Sequence, residues 1–323
     1  MPAAPAAPGD ALAPPPAGAI VNACLRDGRG GSPTAVLPES GLTDAERRAV
    51  PARLGTSHAV FVAAEIAPDG EIHAALRFFT TAGELPACGH GTVAALAYLA
   101  DLHGIDGRRV MLRAAGRAAF EGHVAAHPAG CEAVFAPGPG EFHVPGDADW
   151  GAIVRALRIP GSGPGGGTGP GAGRAASTPT EPAHPQPHHR PRLATLGRPR
   201  LLVPVADRAV LATLAPELDE LRAACDRLGL LGCYVHTVPT PEGHAAARMF
   251  APSIGVPEDI ANANSTACLA ARMAADGMHA IAVDMGDSLG SPATVTAGTR
   301  PGPDGRPSVH VGGVAAVDRL IPL

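Results

Sequence analysis

The sequence predicts an α+β fold of two similar domains, each with a mostly antiparallel sheet or barrel wrapped around a buried central helix. Two stretches carry this prediction, residues 84–100 and residues 248–274, and they share one plan. In each, a turn with a polar cluster leads into an Ala/Leu-rich helix. The first helix is apolar on every side, as is typical of a helix surrounded by protein. We expect both polar helix starts to face one cleft between the domains, where ligands commonly bind.

The chain length and its biased segments predict the domain organisation. A chain of 323 residues is long enough for two domains of roughly 150 residues each. We assign residues 1–18 to a disordered tail, residues 19–135 to an N-terminal domain and residues 136–323 to a C-terminal domain. Residues 161–192 are Gly-rich and then Pro/His-rich, so they are predicted to be a disordered insertion. The last strand is a candidate to return to the first domain.

Strands dominate the predicted N-terminal domain, because short runs of apolar and β-branched residues alternate there with turn residues. A short helix interrupts them at residues 44–54, with Thr43 or Asp44 as its cap. The central helix follows the polar cluster that begins at Cys88. The predicted strands are residues 19–24, 34–37, 57–62, 71–79, 109–120 and 122–135.

The C-terminal domain is predicted to open with a short helix over residues 150–157. A longer helix is predicted over residues 211–228, where Leu214, Leu218 and Leu221 share one face. The predicted strands are residues 200–205, 232–238 and 244–250, with further strands and turns over 281–323.

Composition excludes several classes of protein. The chain contains no lysine, which excludes lysine Schiff-base chemistry, ordinary pyridoxal-phosphate catalysis and a lysine-containing phosphate loop. Its net charge of −5 gives no support for nucleic-acid binding. No apolar run reaches 18 residues, so no membrane span is expected. The six cysteines form no Cys-x-x-Cys pair, which favours a reduced, cytoplasmic protein without a disulfide framework or a metal centre.

Two motifs resemble known sites but lack the required context. Residues 286–290 match the Gly-x-Ser-x-Gly pattern of a hydrolase, yet a turn and a strand follow where a helix is needed. A loose Gly-x-Gly-x-x-Gly lies within residues 161–192 without a flanking strand or helix. The histidines of that segment are weak evidence for a metal site. We therefore favour neither a hydrolase nor a dinucleotide-binding protein.

The start of the central helix carries the residues that predict chemistry. Cys88, Gly89, His90, Gly91 and Thr92 place a thiol, an imidazole and a hydroxyl beside two glycines. A helix start offers unpaired N–H groups and a partial positive charge, which suit a carboxylate ligand. We therefore predict an active site at this helix start, with Gly89 and Gly91 among its binding residues.

The motifs Arg77-Phe-Phe-Thr80, Glu84-Leu-Pro, Cys88-Gly-His90, Arg248-Met-Phe-Ala-Pro252 and Gly255-Val-Pro-Glu258-Asp259 resemble those of the phenazine-biosynthesis isomerase (PhzF-like) family. The resemblance runs in the family's order over residues 19–323. It implies the diaminopimelate epimerase-type fold, acid–base proton transfer on a small carboxylate without a cofactor or a metal, and a homodimer.

The resemblance also implies four catalytic positions. His58 stands in the place of the family's glutamate in a Ser-Glu-x-x-Phe-Val segment, and histidine is a competent proton shuttle near neutral pH. His90 and Asp259 match the family's histidine and aspartate. Cys88 matches a catalytic thiol of the related epimerases, whose second thiol position falls near Asn262. Ordinary structural roles stay open: a strand histidine, a helix-capping Asp259 and a passively buried Cys88.

The second helix start departs from the family's Thr-Gly-Ser, which holds the substrate carboxylate. Asn262, Ala263 and Asn264 stand there, followed by Ser265. The three polar residues are the expected substrate-binding residues on this side. Because both altered positions remain polar, we interpret them as signs of a changed substrate.

The predicted function is a cofactor-independent isomerase that moves a proton and a double bond on a small unsaturated or cyclic amino-acid-derived acid. A bacterial secondary-metabolite pathway is expected, with phenazine-type or 4-alkylproline-type intermediates as candidates. The alternatives are an epimerase or lyase on the same fold, or a catalytically silent binding homologue.

Overall fold

The structure is a computed structural model that describes residues 18–68, 70–104, 106–116, 118–138, 141–143, 147–159, 191–196, 198–302 and 307–322. Residues 1–17 and 161–190, which hold most of the predicted tail and insertion, lie outside the described residues. Gly18 and Arg192, which the prediction included in those segments, each begin a strand instead. The domain boundaries stay a prediction.

The first half of the chain alternates strands with two helices. Its helices are α1 (Asp44–Leu54) and α2 (Gly89–His103). Its strands are β1 (Gly18–Leu25), β2 (Ser32–Pro38), β3 (His58–Ile66), β4 (Ile72–Thr80), β5 (Gly83–Leu85), β6 (Arg109–Ala114), β7 (Phe120–His127), β8 (Gly130–Phe135) and β9 (Glu141–His143).

The second half follows the same plan with more helices. Its helices are α3 (Asp147–Leu157), α4 (Arg208–Thr213), α5 (Leu218–Arg227) and α6 (Ala263–Ala274). Its strands are β10 (Arg192–Leu196), β11 (Arg198–Val205), β12 (Cys233–Thr237), β13 (His244–Ala251), β14 (Val256–Asp259), β15 (Ala280–Met285), β16 (Ala293–Pro301) and β17 (Pro307–Ile321).

The strands of the first half close into a barrel around α2. The pairing runs from β1 through β2, β3, β4, β6, β7 and β8 to β17, and β17 pairs with β1 again. Residues 89–99 of α2 are all buried inside this ring. The predicted fold, with a mostly antiparallel barrel around a helix that is buried on every side, is confirmed here.

A second sheet surrounds α6. It runs from β9 through β10, β11, β12, β13, β15 and β16 to β17. The helices α3 and α5 cover its outer face and bury Leu157 and Leu221. The strand β17 therefore pairs with strands around both central helices.

Local sequence signals explain the start of α1 and the break that separates α4 from α5. Thr43 caps α1, since its hydroxyl accepts from Glu46 N–H and Glu46 Oε2 accepts from Thr43 N–H. The predicted helix over 211–228 is wrong, because the chain leaves the helix at Leu214 and resumes only at Leu218. Pro216 lies in this break, and a proline cannot donate the hydrogen bond that a continuous helix needs. The predicted strand over 109–120 likewise ends at Ala114 and turns into β7.

Among the described residues, no helix is both long and apolar enough to cross a membrane.

Candidate active site

The starts of the two central helices touch each other. Gly89 is the first residue of α2, and Ala263 is the first residue of α6. A Cβ atom built on Gly89 would lie 2.7 Å from Ala263 Cβ and 2.8 Å from the backbone nitrogen of Asn264. A residue with a side chain cannot make this approach, so Gly89 allows the two positively polarised helix starts to converge.

A small cavity lies where the helix starts meet, with a volume of about 30 Å³. That volume is close to the space of one water molecule. Leu85, Leu196, Leu231 and Ile254 contribute apolar surface to its wall. The polar and glycine residues that line it are His58, Cys88, Gly89, His90, Arg198, Arg200, Asp259, Asn262 and Asn264. Gly91 and Ser265, which the sequence also suggested, are not among the lining residues; Gly91 packs against Cys88 Sγ, and Ser265 Oγ accepts from Arg200.

His58 is the first residue of β3 and is buried. Its Nδ1 lies 2.9 Å from Ser57 Oγ, and its ring meets the ring of His90 edge-on at a centroid distance of 4.4 Å. Burial, and then the positive charge on His90, lower the pKa of His58 well below its ordinary value. The imidazole of His58 is therefore neutral at pH 7 and keeps a lone pair.

His90 stands in the first turn of α2 and points toward the second helix start. Its Nδ1 lies 2.8 Å from the carbonyl oxygen of Ala261. Since a carbonyl only accepts, Nδ1 carries a proton, and Nε2 lies 3.6 Å from Cys88 Sγ. Burial alone would lower the pKa of His90. The negative charges of Cys88 and Asp259 and the bonds to Cys88 and Ala261 outweigh that effect and raise this pKa to about 9.

Asp259 is the last residue of β14, and Asn262 connects it to α6. Asp259 Oδ2 accepts from Asn262 Nδ2 at 2.9 Å and lies 3.8 Å from His90 Nδ1. Burial raises the pKa of Asp259, although His90 and Asn262 act in the opposite direction. The cap of α6 is Asn262, whose Oδ1 accepts from the backbone N–H of Ser265 at 3.0 Å. The alternative of Asp259 as a helix cap is therefore wrong.

Two buried oxygens at the cavity have no hydrogen-bond donor among the described residues. They are Asp259 Oδ1 and Asn264 Oδ1. Buried acceptors are nearly always satisfied in folded proteins, so an unsatisfied one needs an explanation. Because both residues line the cavity, these oxygens are available to accept from the N–H groups of a ligand.

Arg200 on β11 is a site residue that the sequence did not suggest. It is almost fully buried and lines the cavity. Its guanidinium donates to the carbonyl oxygen of Leu196 at 2.8 Å and to that of Arg198 at 3.0 Å. It also donates to Ser265 Oγ at 3.3 Å. The sequence did contain one signal for Arg200, because an arginine within an otherwise apolar strand is buried only when it has polar partners.

Cys24 on β1 is a second residue that the sequence did not suggest. Its φ of +64° lies in the left-handed region, at a point where the register between β1 and β17 shifts. Such bulges are common beside active sites, where they redirect a side chain. Burial, followed by the negative charges of Asp259 and Cys88, raises the pKa of the Cys24 thiol to about 12. A lone cysteine in a strand carries no sequence signal for this placement.

Solved structures share the architecture over nearly the whole chain. A predicted epimerase from Pseudomonas aeruginosa is 23% identical with a TM-score of 0.73, over 96% of this chain and 99% of that one. A PhzF-family phenazine biosynthesis protein of Bacillus anthracis is 16% identical with a TM-score of 0.70, over 95% of this chain and 98% of that one. A hydroxyproline epimerase of Agrobacterium vitis was solved with trans-4-hydroxy-L-proline bound. It is 14% identical with a TM-score of 0.55, over 95% of this chain and 92% of that one. These likenesses establish the epimerase-type fold.

Fold and relatives together define the class of the protein, which is an isomerase. An uncharacterized isomerase of Escherichia coli O157:H7 is 25% identical over 241 residues, 73% of this chain and 71% of that protein. One from Deinococcus radiodurans is 29% identical over 133 residues, 39% of this chain and 43% of that protein. The family model named phenazine biosynthesis-like protein matches residues 22–134 and 170–319. The chain belongs to that family.

Proposed function

We propose that this isomerase moves a proton, and with it a double bond, on a small unsaturated or cyclic amino-acid-derived carboxylic acid, without a cofactor. A bacterial secondary-metabolite pathway with phenazine-type or 4-alkylproline-type intermediates is part of the proposal. A cytoplasmic homodimer is the proposed working form, and light scattering of the purified chain tests its size.

The arrangement of the acid and base groups carries the proposal. His58 on β3 and Asp259 on β14 line the same cavity, and His90 lies in contact with His58 and near Asp259. Proton transfer needs such a pair within reach of one substrate. In the proposed reaction His58 takes a proton from a substrate carbon. The electron pair of that C–H bond forms the new double bond, and the original double bond shifts its electrons to a second carbon. That carbon receives a proton from the group formed by His90 and Asp259.

The two kinds of polar group at the cavity support an amino acid as the substrate. The first-turn N–H groups of α2 and α6 suit a carboxylate. The unsatisfied oxygens of Asp259 and Asn264 suit an amine or ring N–H. A ligand with both groups would satisfy both sets of partners at once. Since the cavity of about 30 Å³ holds roughly one water molecule, the cavity walls must separate to admit it.

A deuterium wash-in experiment tests the proposal. The purified chain is incubated in heavy water with pyrroline carboxylates, dihydroaromatic amino acids and trans-4-hydroxy-L-proline, and mass spectrometry follows protein-dependent deuterium uptake. We expect uptake with at least one acid, and its loss in His58→Gln and in Asp259→Asn. His73→Gln is the matched control, since His73 lies toward the other end of the β3–β4 ladder and pairs with Glu71.

The products separate the proposed reaction from its rivals. A shifted double bond supports the isomerase, an inverted stereocentre with the same bonds supports an epimerase, and a loss of mass supports a lyase. Binding of a panel member without any exchange would contradict catalysis and favour a silent binding protein. Equal uptake by wild type and His58→Gln would remove His58 from the reaction.

A further inference from the structure

We propose that His58, Cys88 and His90 form a binding site for one zinc ion. Their ligand atoms, one ring nitrogen from each histidine and the sulfur of Cys88, all lie within 4.8 Å of one another. All three residues are buried. Imidazole nitrogen and thiolate sulfur are the donors that zinc prefers in proteins. This proposal goes beyond the proton-transfer function and does not depend on it.

The separations of the donors are close to those of a zinc site. Zinc binds nitrogen at about 2.0–2.1 Å and sulfur at about 2.3 Å with tetrahedral angles, which places neighbouring donors roughly 3.6 Å apart. Cys88 Sγ and His90 Nε2 are 3.6 Å apart. The ring nitrogen of His58 lies within 4.8 Å of both other donors, so it must approach them by up to about an ångström when zinc binds.

The surroundings of both histidines match the outer layer of a metal site. Histidine ligands usually donate their second ring N–H to a carbonyl, carboxylate or water, which fixes the other nitrogen as the ligand. His90 donates from Nδ1 to the carbonyl oxygen of Ala261, beside Asp259 at 3.8 Å. The Nδ1 of His58 is held at 2.9 Å by Ser57 Oγ. For His90 this leaves Nε2, 3.6 Å from Cys88 Sγ, to bind the metal with release of its proton.

The cavity supplies the fourth position. Three protein ligands and an open position filled by water are typical of zinc sites that act on small molecules, and the cavity of about 30 Å³ has room for roughly one water. A zinc ion here would use the lone pair of His58. The zinc-bound state and the proton-transfer state therefore exclude each other, which makes zinc an inhibitor of the proposed reaction and not its cofactor.

Titration of the metal-free full-length chain with Co²⁺ and then Zn²⁺ tests the site. Cobalt bound by a thiolate has a charge-transfer absorption in the near ultraviolet, and we expect it to saturate at one equivalent and to disappear when zinc is added. Cys88→Ser should lose the absorption, and His58→Gln should weaken zinc binding at least tenfold. Ser57→Ala should weaken it about tenfold, as loss of an outer partner commonly does.

Control variants separate this site from other donors of the chain. His184, His188 and His189 lie in the Pro/His-rich segment, so a triple alanine variant tests adventitious binding there. Cys225→Ser tests a separate pair of thiols, Cys225 and Cys233, whose sulfur atoms lie 4.0 Å apart. Both variants should keep the absorption. Its absence in wild type, or its persistence in folded Cys88→Ser, would overturn the proposal. Circular dichroism establishes that each variant is folded. A failure of cobalt binding would leave the deuterium uptake of the metal-free chain unaffected, so the two proposals fail separately.

Discussion

Replacement of Gly89 by alanine tests whether the contact between the two helix starts is as close as the structure indicates. The new methyl group would meet Ala263 Cβ at 2.7 Å and the backbone nitrogen of Asn264 at 2.8 Å. Carbon atoms in contact normally lie about 3.5–4.0 Å apart. The two helices must therefore separate by roughly an ångström, since a backbone atom cannot turn away as a side chain can.

The magnitude follows from two opposing effects. Overpacking a buried contact costs about 1–3 kcal/mol, and two short contacts place Gly89→Ala near the upper end. Alanine in a helix is favoured over glycine by about 1 kcal/mol. We therefore expect the free energy of unfolding to fall by about 2 kcal/mol.

Urea unfolding with a matched control measures this effect. Gly151→Ala is the control, because Gly151 also lies in a helix but, among the described atoms, its added Cβ meets nothing nearer than an Arg155 guanidinium nitrogen at 3.6 Å. The control should gain up to about 1 kcal/mol of stability. If Gly89→Ala unfolds at the same urea concentration as wild type, or a higher one, the helix starts do not touch.

Three further predictions concern titration, capping and burial. Burial lowers the pKa of His236 to about 4 from 6.5. As the pH falls, His236 therefore takes up a proton in the unfolded protein before it does so in the folded protein. The contribution of His236 to the free energy of unfolding should fall by about 3 kcal/mol between pH 6.5 and 4; urea unfolding of His236→Gln should lack this part of the pH dependence, and an unchanged dependence would contradict it. Asn262→Ala should cost about 2–3 kcal/mol against about 1 for the exposed cap variant Thr43→Ala, because it also removes a donor from the buried carboxylate of Asp259; equal losses in thermal unfolding would contradict this. All six cysteines are buried, so a thiol reagent should label them only on unfolding, and rapid labelling of the native chain would contradict the closed site.

The sequence predicted the central helices because their signals are local. The apolar run from Val93 to Ala100 follows the helix start without a polar face, which favours a helix surrounded by protein, and residues 89–99 are indeed all buried. The break at Pro216 was missed because three leucines with helical spacing outweighed one proline. Strand pairing is a different problem, since the register between β1 and β17 joins residues nearly 300 positions apart and no local pattern specifies it.

The same distinction applies to the candidate site. Cys88 and His90 are two positions apart, so their proximity could be predicted from the helix start alone. His58 and Asp259 entered only through the resemblance to a family, because no spacing relates them to His90. Arg200 gave only a weak local signal and Cys24 gave none; the fold alone places Arg200 at the cavity and Cys24 close enough to Asp259 and Cys88 to feel their charges.

The position of β17 in both sheets has a consequence for the order in which the protein can be made. This strand, residues 307–321, fills the gap between β1 and β8. A ribosome that has released only the first 135 residues has produced every other strand of that barrel, yet an open seam exposes α2. Contacts so distant in sequence form slowly, and incomplete sheets with open edges attract other chains. The barrel of the first half can therefore close only after the last strand has been made. A chaperone that shields the first half during synthesis would raise the yield of folded protein.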